Sequence, residues 1–328
     1  MKQLNWAVLG TGVIANEMAQ ALQKQGKSLY SVGNRTYEKA VAFGEQYGIS
    51  KVYTDFQQIF TDPEVDAIYI TTPHNTHREF MEMAIENGKH ILVEKSITLN
   101  SKELDEMIHL ADKKGVVIAE AMTIYHMPIY QKLKEIIQSG KIGKVNLITM
   151  NFGSLKEYDM KNRFFNRNLA GGAMLDIGVY ALSFIRWFMD SKPDQLLSQV
   201  KAAPTGVDEQ AGLLLMNPEG QMATVMLSLH SKQPKRGMIS CEKGYIEIME
   251  YPRAWEARIT DAITGETEVI HEGENADALV YELQDMEKAI AGDRKRMHLD
   301  YTKDVMDLMT EFRGTWGMKY PEEEKTDS

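Results

Sequence analysis

A chain of 328 residues exceeds the roughly 100–200 residues of one ordinary core, so two domains are expected. Its 43% hydrophobic and 26% charged residues are those of an ordinary globular protein, while 47 acidic against 37 basic residues leave a formal charge of −10. That balance opposes nucleic-acid backbones and anionic membrane surfaces, and the single cysteine, Cys241, excludes an intramolecular disulfide and any thiolate metal cluster.

The chain opens on a strand pattern at residues 6–9, with no basic stretch, apolar core and small-residue cleavage site ahead of it, so a cytoplasmic protein is expected. No apolar run approaches the ~20 residues that span a bilayer, so no membrane segment is expected. The turn Gly10-Thr11-Gly12 follows, and Met18, Ala21 and Leu22 recur at helical spacing across residues 14–25. A strand at 29–33, a helix at 37–47 and a short strand at 51–53 continue the alternation. Residues 66–71 read as a buried strand, and the helix after it carries Phe80, Met83 and Ala84 on one face before stopping at Gly88. A strand at 90–94, a helix marked by Leu104, Met107, Ile108 and Ala111, and a strand at 116–119 close the series. Strands separated by helices of this length require right-handed crossovers, which predicts an α/β domain with a doubly wound parallel sheet over residues 1–121.

Beyond residue 121 the pattern changes. A helix at 128–138 precedes strands at 145–152, 211–216, 223–229 and 245–248, with turns at Pro218-Glu219-Gly220 and Glu242-Lys243-Gly244. A helix is inserted at about residues 174–189. Two more helices follow, one with Leu279, Leu283, Met286 and Ile290 on a face, the other with Val305, Leu308, Phe312 and Trp316. Residues 122–320 therefore read as an α+β domain with an antiparallel sheet, and the polar residues 321–328 are expected to fray.

Gly10-Thr11-Gly12-Val13-Ile14-Ala15 sets Gly-x-Gly-x-x-Ala between a strand and a helix, the context of a dinucleotide site. Gly10 allows the tight turn, Gly12 lets a pyrophosphate approach the backbone, and Ala15 lets the helix pack close to the sheet. The helix start supplies free N–H groups and a positive dipole end, so Gly10, Thr11, Gly12, Val13 and Ile14 are assigned to the cofactor. NAD-binding chains place a carboxylate about 20 positions after the glycines, whereas this chain has Gly33-Asn34-Arg35-Thr36. Asn34 and Arg35 then face the ribose end, and the planar fork of Arg35 suits a 2′-phosphate, so NADP(H) is expected over NAD.

In an open parallel sheet, ligands bind beyond the carboxyl ends of the strands. The loops Thr72-Pro73-His74-Asn75-Thr76-His77 and Glu94-Lys95-Ser96 occupy such ends, which makes Thr72, Pro73, His74, His77, Glu94 and Lys95 candidate contacts to cofactor or substrate. His74 and His77 have neither a cysteine nor a third ligand nearby in sequence, and no metal is expected. In the second region, Ala170-Gly171-Gly172 opens a helix with Asp176 and Tyr180 on one face at i and i+4. A phenol of pKa ~10 is a poor base at neutral pH, so Tyr180 requires a neighbouring cation such as Lys95.

Together these motifs resemble the family of glucose-fructose oxidoreductase, inositol dehydrogenase and MocA proteins. Gly10-Thr11-Gly12, the Thr72–His77 loop, Glu94-Lys95 and Gly171–Tyr180 stand in the family's order and at its spacings over nearly the whole chain. A tyrosine at position 180 resembles the branch of glucose-fructose oxidoreductase, the NADP-dependent xylose dehydrogenases and dimeric dihydrodiol dehydrogenase. The resemblance implies a Rossmann domain, an open sheet in the second domain whose outer face forms a homodimer or higher homo-oligomer, and redox chemistry on a sugar or cyclic diol. It implies Lys95 and Tyr180 as the catalytic pair, Asp176 as a substrate-positioning group, His74 and His77 beside nicotinamide or substrate, and Arg35 by the adenosine phosphate. Two departures stand out: Ser96 replaces the family proline after Glu-Lys, and Thr123 replaces the tryptophan of dihydrodiol-type enzymes. Either Tyr125 or His126 supplies the missing aromatic wall, or the substrate is a sugar.

The expected protein is thus an NADP(H)-dependent oxidoreductase acting on a carbinol, with Arg163, Asn166 and Arg167 as further candidate substrate contacts. The competing reading is a non-catalytic sensor of NADP(H) or sugar on the same fold. Retention of both Lys95 and Tyr180 argues against the sensor.

Overall fold

The first strand, β1 (Trp6–Leu9), is buried along its whole length, as a central strand must be when helices cover both faces of its sheet. The computed structural model describes residues 3–326. Five further strands join β1: β2 (Ser31–Gly33), β3 (Lys51–Tyr53), β4 (Ala67–Ile70), β5 (His90–Glu94) and β6 (Ile118–Ala121). Their order is β3-β2-β1-β4-β5-β6 with every pairing parallel. Helices α1 (Val13–Lys24), α2 (Tyr37–Tyr47), α3 (Phe56–Thr61), α4 (His77–Glu86) and α5 (Ser101–Lys114) fill the crossovers. This is the doubly wound order, whose winding reverses between β1 and β4 and leaves a ligand crevice beyond their carboxyl ends.

The face of α4 differs from the expected one. His77, Met81, Ala84 and Ile85 are buried, while Met83 is half-exposed. The seam runs from His77 at i, i+4, i+7 and i+8, and Phe80 turns aside to pack edge-on against Phe56, ring centroids 5.1 Å apart.

The second unit holds α6 (Pro128–Gln138), α7 (Val179–Phe188) and eight strands: β7 (Val145–Gly153), β8 (Gln195–Ala202), β9 (Asp208–Met216), β10 (Met222–Ser228), β11 (Gln233–Cys241), β12 (Gly244–Met249), β13 (Glu256–Asp261) and β14 (Thr267–His271). Their order is β14-β13-β12-β11-β7-β10-β9-β8, an open sheet that is antiparallel except where β10 runs parallel to β7. Ile148, Met150, Val225, Leu227 and Ile239 form its buried face. Gly237 permits close packing there, since a Cβ would stand 2.8 Å from Cζ of Phe184 on α7. The opposite face exposes Leu197 and Met226.

Three sequence expectations are corrected. Residues 279–299 cluster with the first unit, not with residues 122–320. Helix α8 (Ala278–Ile290) buries Leu279, Leu283 and Met286 there, Lys27 pairs with Glu287 at 2.7 Å, and Arg294 reaches Asp112 at 3.4 Å. Residues 321–326 do not fray: α10 (Pro321–Thr326) is pinned to α9 (Leu299–Thr315) because Glu323 accepts two 2.8 Å bonds from the buried Arg313. Residues 327–328 of that expected tail lie outside the described ones. Finally, the 22 residues Arg167–Phe188 are long and apolar enough to cross a membrane, against the expectation that none would be, yet 83% of the apolar window is buried in the protein. That burial is what a core helix requires.

Candidate active site

In the first unit, Gly10 follows β1 with φ +105° and donates its N–H to the Gly33 carbonyl at 2.8 Å. A Cβ at Gly10 would meet Thr71 Oγ1 at 2.5 Å, so both conformation and space demand glycine. Gly12, the N-cap of α1, has nothing within 4 Å of its Cβ direction and no side-chain cap on the helix. The start of α1, beside half-buried Thr11 and Ile14 and exposed Val13, thus has an open Cβ direction at Gly12 and no side-chain cap, features that suit a pyrophosphate cradle. Beyond β2, Asn34 is turned onto the Thr36 carbonyl at 2.9 Å and Arg35 is exposed. The residues present thus fit a dinucleotide, and no carboxylate stands at the end of β2.

The two neighbouring loops are tied together by backbone contacts. His74 Nε2 lies 2.9 Å from the Lys95 carbonyl. His77, fully buried, places Nδ1 3.0 Å from the Ser96 carbonyl and Nε2 2.8 Å from that of Thr72. A neutral ring donates to one of these at a time. Burial lowers the pKa of His77, the three carbonyls of Thr72, Ser96 and Ile97 raise it, and the Lys95 charge lowers it again. Pro73 is exposed, Thr72 Oγ1 accepts from Thr76 at 2.7 Å, and Glu94 accepts the Tyr69 hydroxyl. The Lys95–Ser96 peptide is cis, and the half-buried Lys95 precedes a fully buried Ser96. Glu120 on β6 accepts the Ile97 N–H at 3.1 Å. The sequence reading missed Glu120; a buried-strand acid between Ala119 and Ala121 is the signal that could have found it. The described residues contain no group of three or more His, Cys, Asp or Glu placed to hold a metal.

In the second unit, Gly171 and Gly172 open a π-turn at Met174–Gly178 that runs into α7. π-Turns interrupt helices most often at functional positions. Asp176 lies in that turn, buried, with Arg163 Nη2 at 3.9 Å. Tyr180 is half-buried, its ring centroid 6.2 Å from that of Phe152. Tyr251 beside it is fully buried, and burial, then Tyr180, holds its phenol well above the ordinary range. Of the two phenols, only Tyr180 has solvent-accessible surface for a substrate. Arg163 also lies over the Phe164 ring at 4.1 Å, Asn166 caps the turn Arg167–Leu169, and Arg167 donates to the Lys319 carbonyl at 2.8 Å.

The residues expected to replace the missing tryptophan do not form an exposed wall. Thr123 donates to the Pro252 carbonyl at 2.7 Å, while Tyr125 is buried and stacks on Trp187 with centroids 5.7 Å apart. His126 is buried as well.

A glycine turn opening a helix on a doubly wound sheet defines a dinucleotide-binding class of fold. The model of the oxidoreductase family with an NAD-binding Rossmann fold matches residues 4–122, and that of the GFO/IDH/MocA C-terminal domain matches residues 130–247. The chain belongs to the GFO/IDH/MocA oxidoreductase family and is an NAD(P)-dependent dehydrogenase acting on CH–OH groups. It is 30% identical over 247 residues to trans-1,2-dihydrobenzene-1,2-diol dehydrogenase of Xenopus tropicalis, covering 74% of each chain. To the enzyme of that name from Xenopus laevis it is 28% identical over 328 residues, 96% of this chain and 99% of that one. Among solved structures, aldose-aldose oxidoreductase from Caulobacter crescentus, complexed with glycerol, superposes with a TM-score of 0.84 at 25% identity over 95% of this chain and 97% of that one. KijD10, a 3-ketoreductase from Actinomadura kijaniata in complex with NADP and TDP-benzene, gives 0.84 at 19% identity over 94% and 96%.

Proposed function

We propose that the protein is an NADP(H)-dependent oxidoreductase acting on a ring carbinol of a sugar or cyclic polyol, with Lys95, Tyr180 and Asp176 as its working side chains. The observation that carries this reading is the helix of the second unit, which leaves one phenol, Tyr180, accessible four residues after a buried carboxylate, Asp176. When bound, the nicotinamide supplies or accepts the hydride. Gly10, Thr11, Gly12, Val13 and Ile14 hold its pyrophosphate, and Arg35, exposed where NAD-binding chains carry an acid, pairs with the 2′-phosphate. His74 and His77 hold the backbone of the Lys95 loop, with Thr72, Pro73 and Glu94 framing it.

Tyr180 Oη takes the carbinol proton in oxidation and returns it in reduction. The Lys95 ammonium stabilises negative charge developing on the carbinol oxygen and favours the phenolate form of Tyr180. Asp176 orients a second substrate hydroxyl. A sugar is favoured over a flat dihydrodiol because Thr123 offers no aromatic surface and Tyr125 is committed to the stack with Trp187. The relatives and structural neighbours act on both kinds of compound by name, which supports the shared class. The reading includes a homodimer through the outer sheet face, where Leu197, Gly212, Leu214 and Met226 line a shallow trough of about 780 Å³.

The test follows the absorbance of reduced nucleotide while aldoses, cyclitols and trans-diols are offered with NADP or NAD. Turnover of an aldose or cyclitol with NADP is the expected result. Preference for NAD, or no reduction with any carbinol, overturns the reading.

A further inference from the structure

We propose that Asp208 is a positioning residue: through the N–H of Met174 it fixes the first turn of the helix that carries Asp176 and Tyr180, and so sets both side chains without touching substrate. The inference rests on the reading of Tyr180 as the acid-base group.

Asp208 is the first residue of β9 and is completely buried. Its Oδ2 accepts the Met174 N–H at 2.6 Å, a charge-assisted contact at the positive end of a helix. The chain is shaped around this contact. Gly172 has φ +124°, and a Cβ there would stand 2.2 Å from Asp208 Oδ1, so the glycine before the helix is required by the carboxylate itself. Tyr320 donates its hydroxyl to the Gly171 carbonyl at 2.7 Å and thereby holds the other glycine of the turn. Asx and carboxylate caps normally sit within their own helix. Here the cap comes from a strand 34 residues away in sequence, which couples the helix start to the sheet.

The charged and titratable groups facing Asp208 come from α9 and the segment around α10: Arg313, paired with Glu323 at 2.8 Å, and the neutral phenol of Tyr320. On β9 itself, Glu209 engages Lys201 at 2.6 Å and Tyr158 at 2.7 Å. Burial pushes the Asp208 carboxyl up to about 7, against the N–H groups of Met174 and Asp208 itself, the Arg313 charge and the N–H of Ala173. The cap therefore titrates near neutrality, and its ionised form holds the helix more firmly than the neutral acid does.

Two variants separate the roles. Asp208→Asn keeps an oxygen acceptor for Met174 but removes the titration, and Asp208→Ala removes both. In the wild type, kcat is expected to fall as pH drops through about 7. In Asp208→Asn, whose neutral acceptor mimics the protonated acid, this limb disappears and kcat stays at the level the wild type reaches below about pH 7, while Asp208→Ala loses at least about tenfold in kcat relative to wild type near pH 8 with nucleotide affinity unchanged. A second readout needs no turnover: amide exchange of residues 173–180 accelerates at least about tenfold in Asp208→Ala. Stability supplies a third. A carboxyl raised from 3.8 to about 7 contributes stability that is complete at acid pH and is lost as pH rises through about 7, so the Asp208→Asn protein lacks that decline. An Asp208→Asn enzyme with the wild-type acid limb, or an Asp208→Ala protein with wild-type exchange at residues 173–180, overturns the proposal. Absence of turnover in the wild type with accelerated exchange in Asp208→Ala sinks the catalytic reading and leaves the cap standing.

Discussion

The two units build their functional surfaces from different materials. In the first, the proposed cofactor cradle is largely backbone, with Gly10 and Gly12 clearing space at the start of α1, while His74 and His77 grip carbonyls of the loop that carries the proposed catalytic Lys95. In the second, the proposed working groups are side chains on a single helix, Asp176 and Tyr180, with the Asp208 carboxylate of β9 bonded to the Met174 N–H at its start. A backbone site tolerates change wherever the chain path survives, whereas a side-chain site fails with one atom. The contrast predicts which variants lose binding and which lose chemistry.

The largest expected effect is on chemistry. Tyr180→Phe and Lys95→Met each lower kcat by about 10²–10⁴-fold, with nucleotide affinity measured by fluorescence titration unchanged. Near-normal turnover in either removes its assigned role. Next, Arg35→Ala lowers the preference for NADP over NAD by roughly 10–100-fold, the range expected when a charged hydrogen-bond partner is lost. Equal loss with both nucleotides would show that Arg35 does not read the 2′-phosphate. A smaller effect isolates the cradle. Gly12→Ala leaves thermal stability unchanged, because no atom lies within 4 Å of the new methyl, but weakens nucleotide binding by about tenfold. Gly10→Ala should instead lower stability, since its methyl would meet Thr71 at 2.5 Å and its φ is +105°. The smallest change is Arg163→Ala. Its ion pair with Asp176 spans 3.9 Å and the side chain is 59% exposed, so substrate KM rises only a few-fold.

The same contrast explains what was legible in the sequence. The doubly wound half is written in local patterns, with each apolar strand followed by an amphipathic helix and a glycine stop. The error there was one of face: Met81 and Ile85, not Met83, meet the core of α4, because the buried seam starts at His77, which its letter alone marks as polar. In the second half, β11 escaped because Gln233-Pro234-Lys235-Arg236 reads as a loop, and only pairing with β7 and β12 makes it a strand. Tyr180 and Asp176 were visible from their helical spacing and from the family motif. Asp208 was not, since its contact with Met174 joins residues far apart in the chain and leaves no periodic trace. Nor was α10, whose acidic run looks solvated until Arg313 is placed beneath Glu323.

The return of residues 279–299 to the first unit bears on the order of biosynthesis. A ribosome adds about 5–20 residues per second, so roughly ten to thirty seconds separate the emergence of Ala121 from that of Leu279. During that interval the nucleotide-binding unit lacks the helix that buries Leu279, Leu283 and Met286, while the intervening polypeptide is already free to assemble its own sheet. The unit begun first thus waits for a segment made after most of the second unit, and a nascent chain released before residue 299 carries an unfinished cofactor unit.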